Sequence, residues 1–108
     1  MTTYTIKNLY QGQLPVTKST LYTVPAGTVA IIRSTVLVNT NTTAEVVNLY
    51  IKTAVGVSRR ICPKDLSLPA GAMLTSEVIY TLGADDLIEG STTTDSMVDC
   101  SISGVEGV

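Results

Sequence analysis

Val24-Pro25-Ala26-Gly27-Thr28-Val29 recurs as Leu68-Pro69-Ala70-Gly71-Ala72-Met73, and Leu82-Gly83-Ala84-Asp85-Asp86-Leu87-Ile88 is a looser third copy. Each reads as an apolar residue, a tight turn and an apolar strand. Pro presets φ for a turn corner, and Gly supplies the positive φ that a following corner needs. Chains punctuated in this way fold as compact antiparallel β domains.

Working outward from these turns, the stretches between them are strand-like. Val, Ile and Thr make up 38 of the 108 residues. Their stiff χ1 rotamers favour pleated strands over helices. No window sustains apolar spacing at i, i+3, i+4 and i+7, so little or no helix is expected. Thr28–Val38 is the strongest strand. Val29 and Ile31 share one face, and after Ile31-Ile32 the apolar face switches to Ile32, Val36 and Val38. A parity change of this kind points to a bulge or to a strand buried on both sides. Glu45–Thr53 alternates, with Val47, Leu49 and Ile51 inward and Asn48, Tyr50 and Lys52 outward. Near the C-terminal end Val98, Cys100 and Ile102 point inward and Asp99 and Ser101 outward. The expected core is Ile31, Val36, Val38, Leu49, Ile51, Val98 and Ile102. About eight short strands at regular spacing predict an all-β antiparallel sandwich of jelly-roll type.

Residues 1–18 form an entry segment, an N-terminal arm or an edge strand, ahead of a single sandwich domain over 19–108. Tyr4, Ile6, Leu9, Tyr10 and Leu14 give this segment more apolar surface than a solvated terminus needs. They are candidate interface residues, with Arg59 and Arg60 of a charged hairpin beside them. An ordinary first strand that folds back into its own sheet is the alternative.

Reactive chemistry is sparse. The chain has no His, Trp or Phe, so it lacks the commonest general base and the commonest metal ligand. Asp85, Asp86, Glu89, Asp95 and Asp99 match no calcium-loop spacing and read as a solvated acidic surface. No phosphate-binding or dinucleotide motif occurs, nor a nucleophile elbow. No catalytic residue, metal site or cofactor is therefore assigned. Arg59, Arg60 and Lys64 make too small a basic cluster for a nucleic-acid binder, and no apolar run approaches a membrane span. With no secretory pattern at the start, Cys62 and Cys100 read as reduced, buried thiols; a disulfide between them is the alternative.

Net charge is only −2, but its distribution is lopsided. The first 64 residues hold all seven bases and one acid, +6, and the last 44 hold eight acids and no base, −8. Either strands from the two halves interleave and the charges mix in space, or the protomer is dipolar and its halves meet across subunits.

The stretches Leu9-Tyr10-Gln11-Gly12-Gln13-Leu14-Pro15, Leu21-Tyr22-Thr23-Val24-Pro25-Ala26-Gly27-Thr28 and Ala30-Ile31-Ile32-Arg33-Ser34 resemble small virion proteins of tailed bacteriophages. The likeness continues through Val38-Asn39-Thr40, Asn48-Leu49-Tyr50-Ile51, Leu68-Pro69-Ala70-Gly71 and Asp86-Leu87-Ile88-Glu89-Gly90, and covers most of the chain. It implies a β-sandwich and a non-enzymatic role in the virion, as capsid decoration or cement or as a neck or tail component. The implied partners are other virion proteins (major capsid or neck and tail proteins) and further copies of the chain in a homo-oligomer. The implied place of synthesis is the cytoplasm of a host bacterium. A receptor- or glycan-binding module of a phage fibre is the alternative. Sugar sites need exposed aromatic platforms, however, and the chain has five Tyr and no Trp.

Overall fold

The computed structural model describes residues 3–108, so the first two residues of the entry segment lie outside the described residues. The strands are β1 (Tyr4–Gln13), β2 (Ser19–Thr23), β3 (Val29–Asn39), β4 (Glu45–Lys52), β5 (Arg59–Arg60), β6 (Leu66–Leu68), β7 (Met73–Ser76), β8 (Tyr80–Leu82), β9 (Leu87–Thr92) and β10 (Val98–Gly107). Sheet A runs β1-β10-β3-β7, with β8 also on β3; sheet B runs β2-β9-β4-β5, with β6 also on β4. All pairings are antiparallel. Counting β5 with β6, and β7 with β8, as single interrupted strands leaves eight. Their order is 1-8-3-6 in one sheet and 2-7-4-5 in the other, the two-sheet closure of a jelly roll. No helix forms among the described residues.

The turn copies share one geometry. The amide of Thr28 donates to the Pro25 carbonyl at 3.1 Å, that of Ala72 to Pro69 at 3.0 Å and that of Asp86 to Gly83 at 3.2 Å. In each, the third residue has positive φ: Gly27 at 72°, Gly71 at 71° and Asp85 at 68°. This is the type II pattern. Pro sits at its first position and not, as the sequence suggested, at its first corner, which Ala26, Ala70 and Ala84 occupy in turn.

The core lies between the sheets and is almost wholly aliphatic. Leu14, Val24, Ile32, Leu37, Val47, Ile88 and Val98 are fully buried. Leu49, Val98 and Ile102 are buried as expected, and Ile51 is half-buried. Ile31, Val36 and Val38 are not core residues, which corrects the face assigned to β3. Ser34 pairs with Ser103 but Ile32 pairs with Gly104, so Arg33 is an extra, bulged residue. Ala30 and Ile32 face inward before the bulge; Thr35, Leu37 and Asn39 do so after it. The expected bulge is there, but both faces of this strand are apolar, and alternation alone could not say which was buried. Opposite the bulge, a Cβ on Gly104 would sit 1.9 Å from the Ile31 carbonyl oxygen. Only a residue without a side chain allows that approach.

The two charge halves interleave strand by strand. β1 and β3 pair with β10, and β2 and β4 with β9. Both ion pairs among the described residues join a base from the first half to an acid from the second: Lys7 to Glu106 at 3.0 Å and Lys18 to Glu89 at 3.7 Å.

Each end of the sandwich carries a polar knot, one buried and one half-buried. At one, Asn39 is fully buried, and its side-chain amide donates to the carbonyls of Thr43 (3.0 Å), Leu68 (2.9 Å) and Pro69 (3.2 Å). Beside it Glu45, 1% exposed, accepts from Asn41 Nδ2 (3.0 Å), the Thr94 amide (2.8 Å) and Thr92 Oγ1 (3.2 Å). Burial pushes the Glu45 carboxyl up, but the hydrogen bonds from Thr94, Asn41 and Thr92 outweigh it and hold the group below its ordinary value. At the other end the Tyr22 hydroxyl crosses between sheets to Glu106, which Lys7 also holds. The Tyr22 bond and the Lys7 charge keep Glu106 low against the opposing effect of burial. Burial and the same carboxylate raise Tyr22 well above the usual phenol range.

Candidate interaction surfaces

The sequence-derived interface residues do not converge. Leu9 and Leu14 are buried in the chain's own core, and Tyr10 packs against it with its hydroxyl on the Gln13 carbonyl at 2.9 Å. These three serve the fold and are not free to meet a partner. Tyr4 and Ile6 lie on β1, zipped along β10, on the outer face of sheet A; Ile6 is 90% exposed. Arg59 and Arg60 are exposed on β5, at the far edge of the other sheet.

Register places further residues beside Ile6. Residues directly opposite in an antiparallel pair share a face, so Ile6, Val105, Ile31 and Thr81 form one row across sheet A, and Tyr4, Gly107 and Val29 the next. Beyond the bulge the outer face continues as Gln11, Ser101, Val36 and Thr75, then Gln13, Asp99, Val38 and Met73. A shallow depression of about 350 Å³ lies over these last two rows. Sequence reading missed Ile31 as a surface residue because both faces of β3 are apolar, and Val29 and Val105 join it only through register.

The outer face of sheet B is polar and organised around Tyr50. Lys18 reaches within 4.2 Å of its ring centroid, and the Arg60 guanidinium lies 4.9 Å from it. Glu89, opposite Tyr50 on β9, is held by Lys18 and Ser58. Arg60 also donates to the Asn48 side-chain oxygen, which receives the Asp65 amide at 2.9 Å. Asn48 Nδ2 returns to the Asp65 carboxylate at 3.1 Å, fixing Asp65 at a φ of 53°.

At the edge where β5 and β8 approach, a groove of about 490 Å³ opens between the sheets. Ile51, Val57, Ile61 and Tyr80 line it, with Arg59 and Arg60 at its rim. Val57 on its lining is more than half exposed, and Val55, Val78 and Ile79, within two residues of the lining along the chain, are exposed as well.

Reactive groups do not assemble at any of these places. The acidic residues scatter: Asp86 ties down the Gly83 and Ala54 amides, Glu89 is ion-paired and Asp99 accepts from Gln13. Cys62 and Cys100 are free thiols, and burial pushes Cys100 up to about 12. A thiol so high is not the nucleophilic thiolate at neutral pH.

No protein-family model and no curated relative matches the chain. Solved structures do. A chain of an infectious bursal disease virus particle matches with a TM-score of 0.60 at 10% identity, over 99% of this chain and 30% of its own. A chain of the acid-stable capsid of Helicobacter pylori bacteriophage KHP30 gives 0.55 at 11% identity, over 100% of this chain and 94% of its own. One from the Gx strain of infectious bursal disease virus gives 0.52 at 14% identity, over 100% of this chain and 32% of its own. The chain thus spans about a third of the bursal disease virus chains and nearly all of the phage chain. At such identities the likeness is one of fold, and that fold is the β-sandwich of viral capsid proteins.

Proposed function

We propose that the chain is a non-enzymatic structural protein of a bacteriophage particle, a capsid decoration or cement subunit. It stabilises the shell through β-rich contacts with other virion proteins and with copies of itself. The observation that carries this reading is where its exposed apolar side chains lie. Among the described residues ten large apolar side chains are exposed. Tyr4, Ile6 and Val29 lie in neighbouring rows on the outer face of sheet A, Val57 lines the groove at the β5–β8 edge, and Val55, Val78 and Ile79 lie within two residues of that lining along the chain. Contiguous apolar surface of this kind marks an interaction site on a soluble domain. Every buried side-chain polar atom among the described residues already has a partner, so the interior is built for rigidity. The phage capsid chain, matched over 94% of its length, is a precedent for a single sandwich of this size in such a shell.

The fibre-module alternative has less support. Tyr50, the aromatic on the outer face of sheet B, is already flanked by Lys18 and Arg60 and offers no free stacking platform for a sugar.

Copy number in purified particles, measured by quantitative mass spectrometry, tests the proposal. Hundreds of copies per particle support decoration of the capsid. Tens or fewer place the protein at the neck or tail. Its absence from particles overturns the reading.

A further inference from the structure

We infer that the β5–β8 groove receives an extended segment of another protein, apolar on the face turned into the groove and acidic on the other. The inference rests on the structural-protein reading and adds to it a surface and the chemistry of what the surface takes. Four observations converge there. First, among the described residues β5 pairs only with β4 and β8 only with β3, so each short strand presents an open edge of backbone groups. Such an edge is a template for an added strand.

Second, the groove between these edges is lined mainly by apolar side chains, Ile51, Val57, Ile61 and Tyr80, with Thr53 and Thr81 beside them. Its volume of about 490 Å³ accommodates a few side chains, not a folded element. Third, Val57 on the lining is more than half exposed, and so are Val55, Val78 and Ile79, which lie within two residues of the lining along the chain. A monomer blunts such an edge with charge or a covering loop; Arg59 and Arg60 supply charge on β5, while the exposed residues just before β8, Val78 and Ile79, are apolar.

Fourth, the rim is basic. Arg59 and Arg60 are both exposed, and neither has an ion-pair partner among the described residues. Arg60 makes a hydrogen bond to Asn48 and lies over Tyr50, which fixes the guanidinium without neutralising it. Arg and Tyr at the margin of an apolar groove are the residues that anchor protein interfaces. Complementary charge then specifies acidic residues on the incoming strand. Nucleic acid fits less well, because the groove is apolar and Tyr50 is already engaged by cations.

The test titrates the isotope-labelled full chain with synthetic peptides of about eight residues, the length of one strand. One alternates Val and Glu, one Val and Lys, one Ser and Glu; oligothymidylate of similar length is the nucleic-acid arm. The Val-Glu peptide is expected to bind at low salt and to shift resonances in residues 56–61 and 78–82. The Ser-Glu peptide and the Arg59→Gln/Arg60→Gln double variant should each weaken binding about tenfold or more. Val57→Ser, a milder change at the lining, should weaken it with the thermal midpoint unchanged, keeping the result independent of folding. No Val-Glu binding at about 1 mM, shifts centred on another face, equal binding of the Val-Lys peptide, or tighter binding of oligothymidylate would each overturn the inference. The titration reports on the groove alone, and particle copy number reports separately on the structural role.

Discussion

Replacing Glu45 tests the buried knot that ties the strand ends together. The carboxylate takes the Thr94 amide at 2.8 Å and Asn41 Nδ2 at 3.0 Å. The third donor, Thr92 Oγ1, has another acceptor in the Val46 carbonyl at 2.9 Å, so its loss is cushioned. Glu45→Ala therefore strands two donors. A buried donor left without a partner costs about 1–3 kcal/mol. Thr94 is at the surface and Asn41 is half-exposed, so water reaches both and the lower half of that range applies. The expected loss is about 2–4 kcal/mol. With a urea m-value of about 1.5 kcal/mol/M, the midpoint falls by about 1–3 M. Glu45→Gln keeps an acceptor for Thr94 but turns an amide donor toward Asn41, and should cost about half as much. The pH profile supplies an independent readout. The folded pKa of Glu45 lies below its unfolded value near 4.5, so its contribution is complete above that pH and is lost as pH falls through the folded pKa. Glu106 behaves likewise, so Glu45→Gln should flatten the acid limb without abolishing it. If Glu45→Ala shifts stability by less than about 0.5 kcal/mol, or the acid limb of Glu45→Gln matches the parent, the knot is not holding the fold.

Gly104→Ala should destabilise more than any surface change, by about 3 kcal/mol or beyond, because its Cβ falls 1.9 Å from a backbone oxygen at the bulge; a urea midpoint equal to the parent's would show that the bulge relaxes freely. Gly27→Val should cost about 1–2 kcal/mol for its φ of 72° alone, since the added Cβ meets nothing within 4 Å; a crystal structure of the variant with an unchanged turn and unchanged stability would refute it. Leu49→Ala should lose about 2–5 kcal/mol through the cavity it leaves in the core, read by thermal unfolding. In native protein a thiol reagent should modify half-buried Cys62 well before buried Cys100, and intact mass should show no loss of two hydrogens; equal rates or a two-hydrogen deficit would refute the free, unequally protected thiols.

The fold class was legible because its signals are local. Three turns repeat one φ requirement, and β-branched residues fill the stretches between them. In β4 and β10 a clean alternation named the inward residues correctly. β3 failed because Ile31, Ile32, Val36, Leu37 and Val38 put apolar residues on both faces, and only pairing with β10 reveals Arg33 as the bulged residue. The knots at Asn39, Glu45 and Glu106 were invisible for a related reason. A polar residue near a loop reads as solvated until the strand that buries it is known. The surfaces were legible only in fragments. Ile6 and Arg59 stood out as residue types, but Val29 and Val105 join Ile6 only through register across three strands. The groove is formed where the short edge strands β5 and β8 end their sheets, and each belongs to an interrupted edge. Weak strand signals in the 61–65 and 77–79 segments were the available hint.

The pairing of β1 with β10 also sets a timetable. Tyr4 meets Gly107 and Gln13 meets Asp99, and β10 is the strand that joins β1 to β3. Of the ten strands it is the last to leave the ribosome. Until it emerges, sheet A has no connection between its first strand and its third, and Glu106 is not there to receive Tyr22 from sheet B. Contacts this distant in sequence make for slow, late folding. Sheet B, built from β2, β9, β4, β5 and β6, has all its strands before β10 is made, whereas β1 has no strand to pair with until then. The two sheets of one sandwich therefore come within reach of their partners at different times, and β10 is the strand on which sheet A waits.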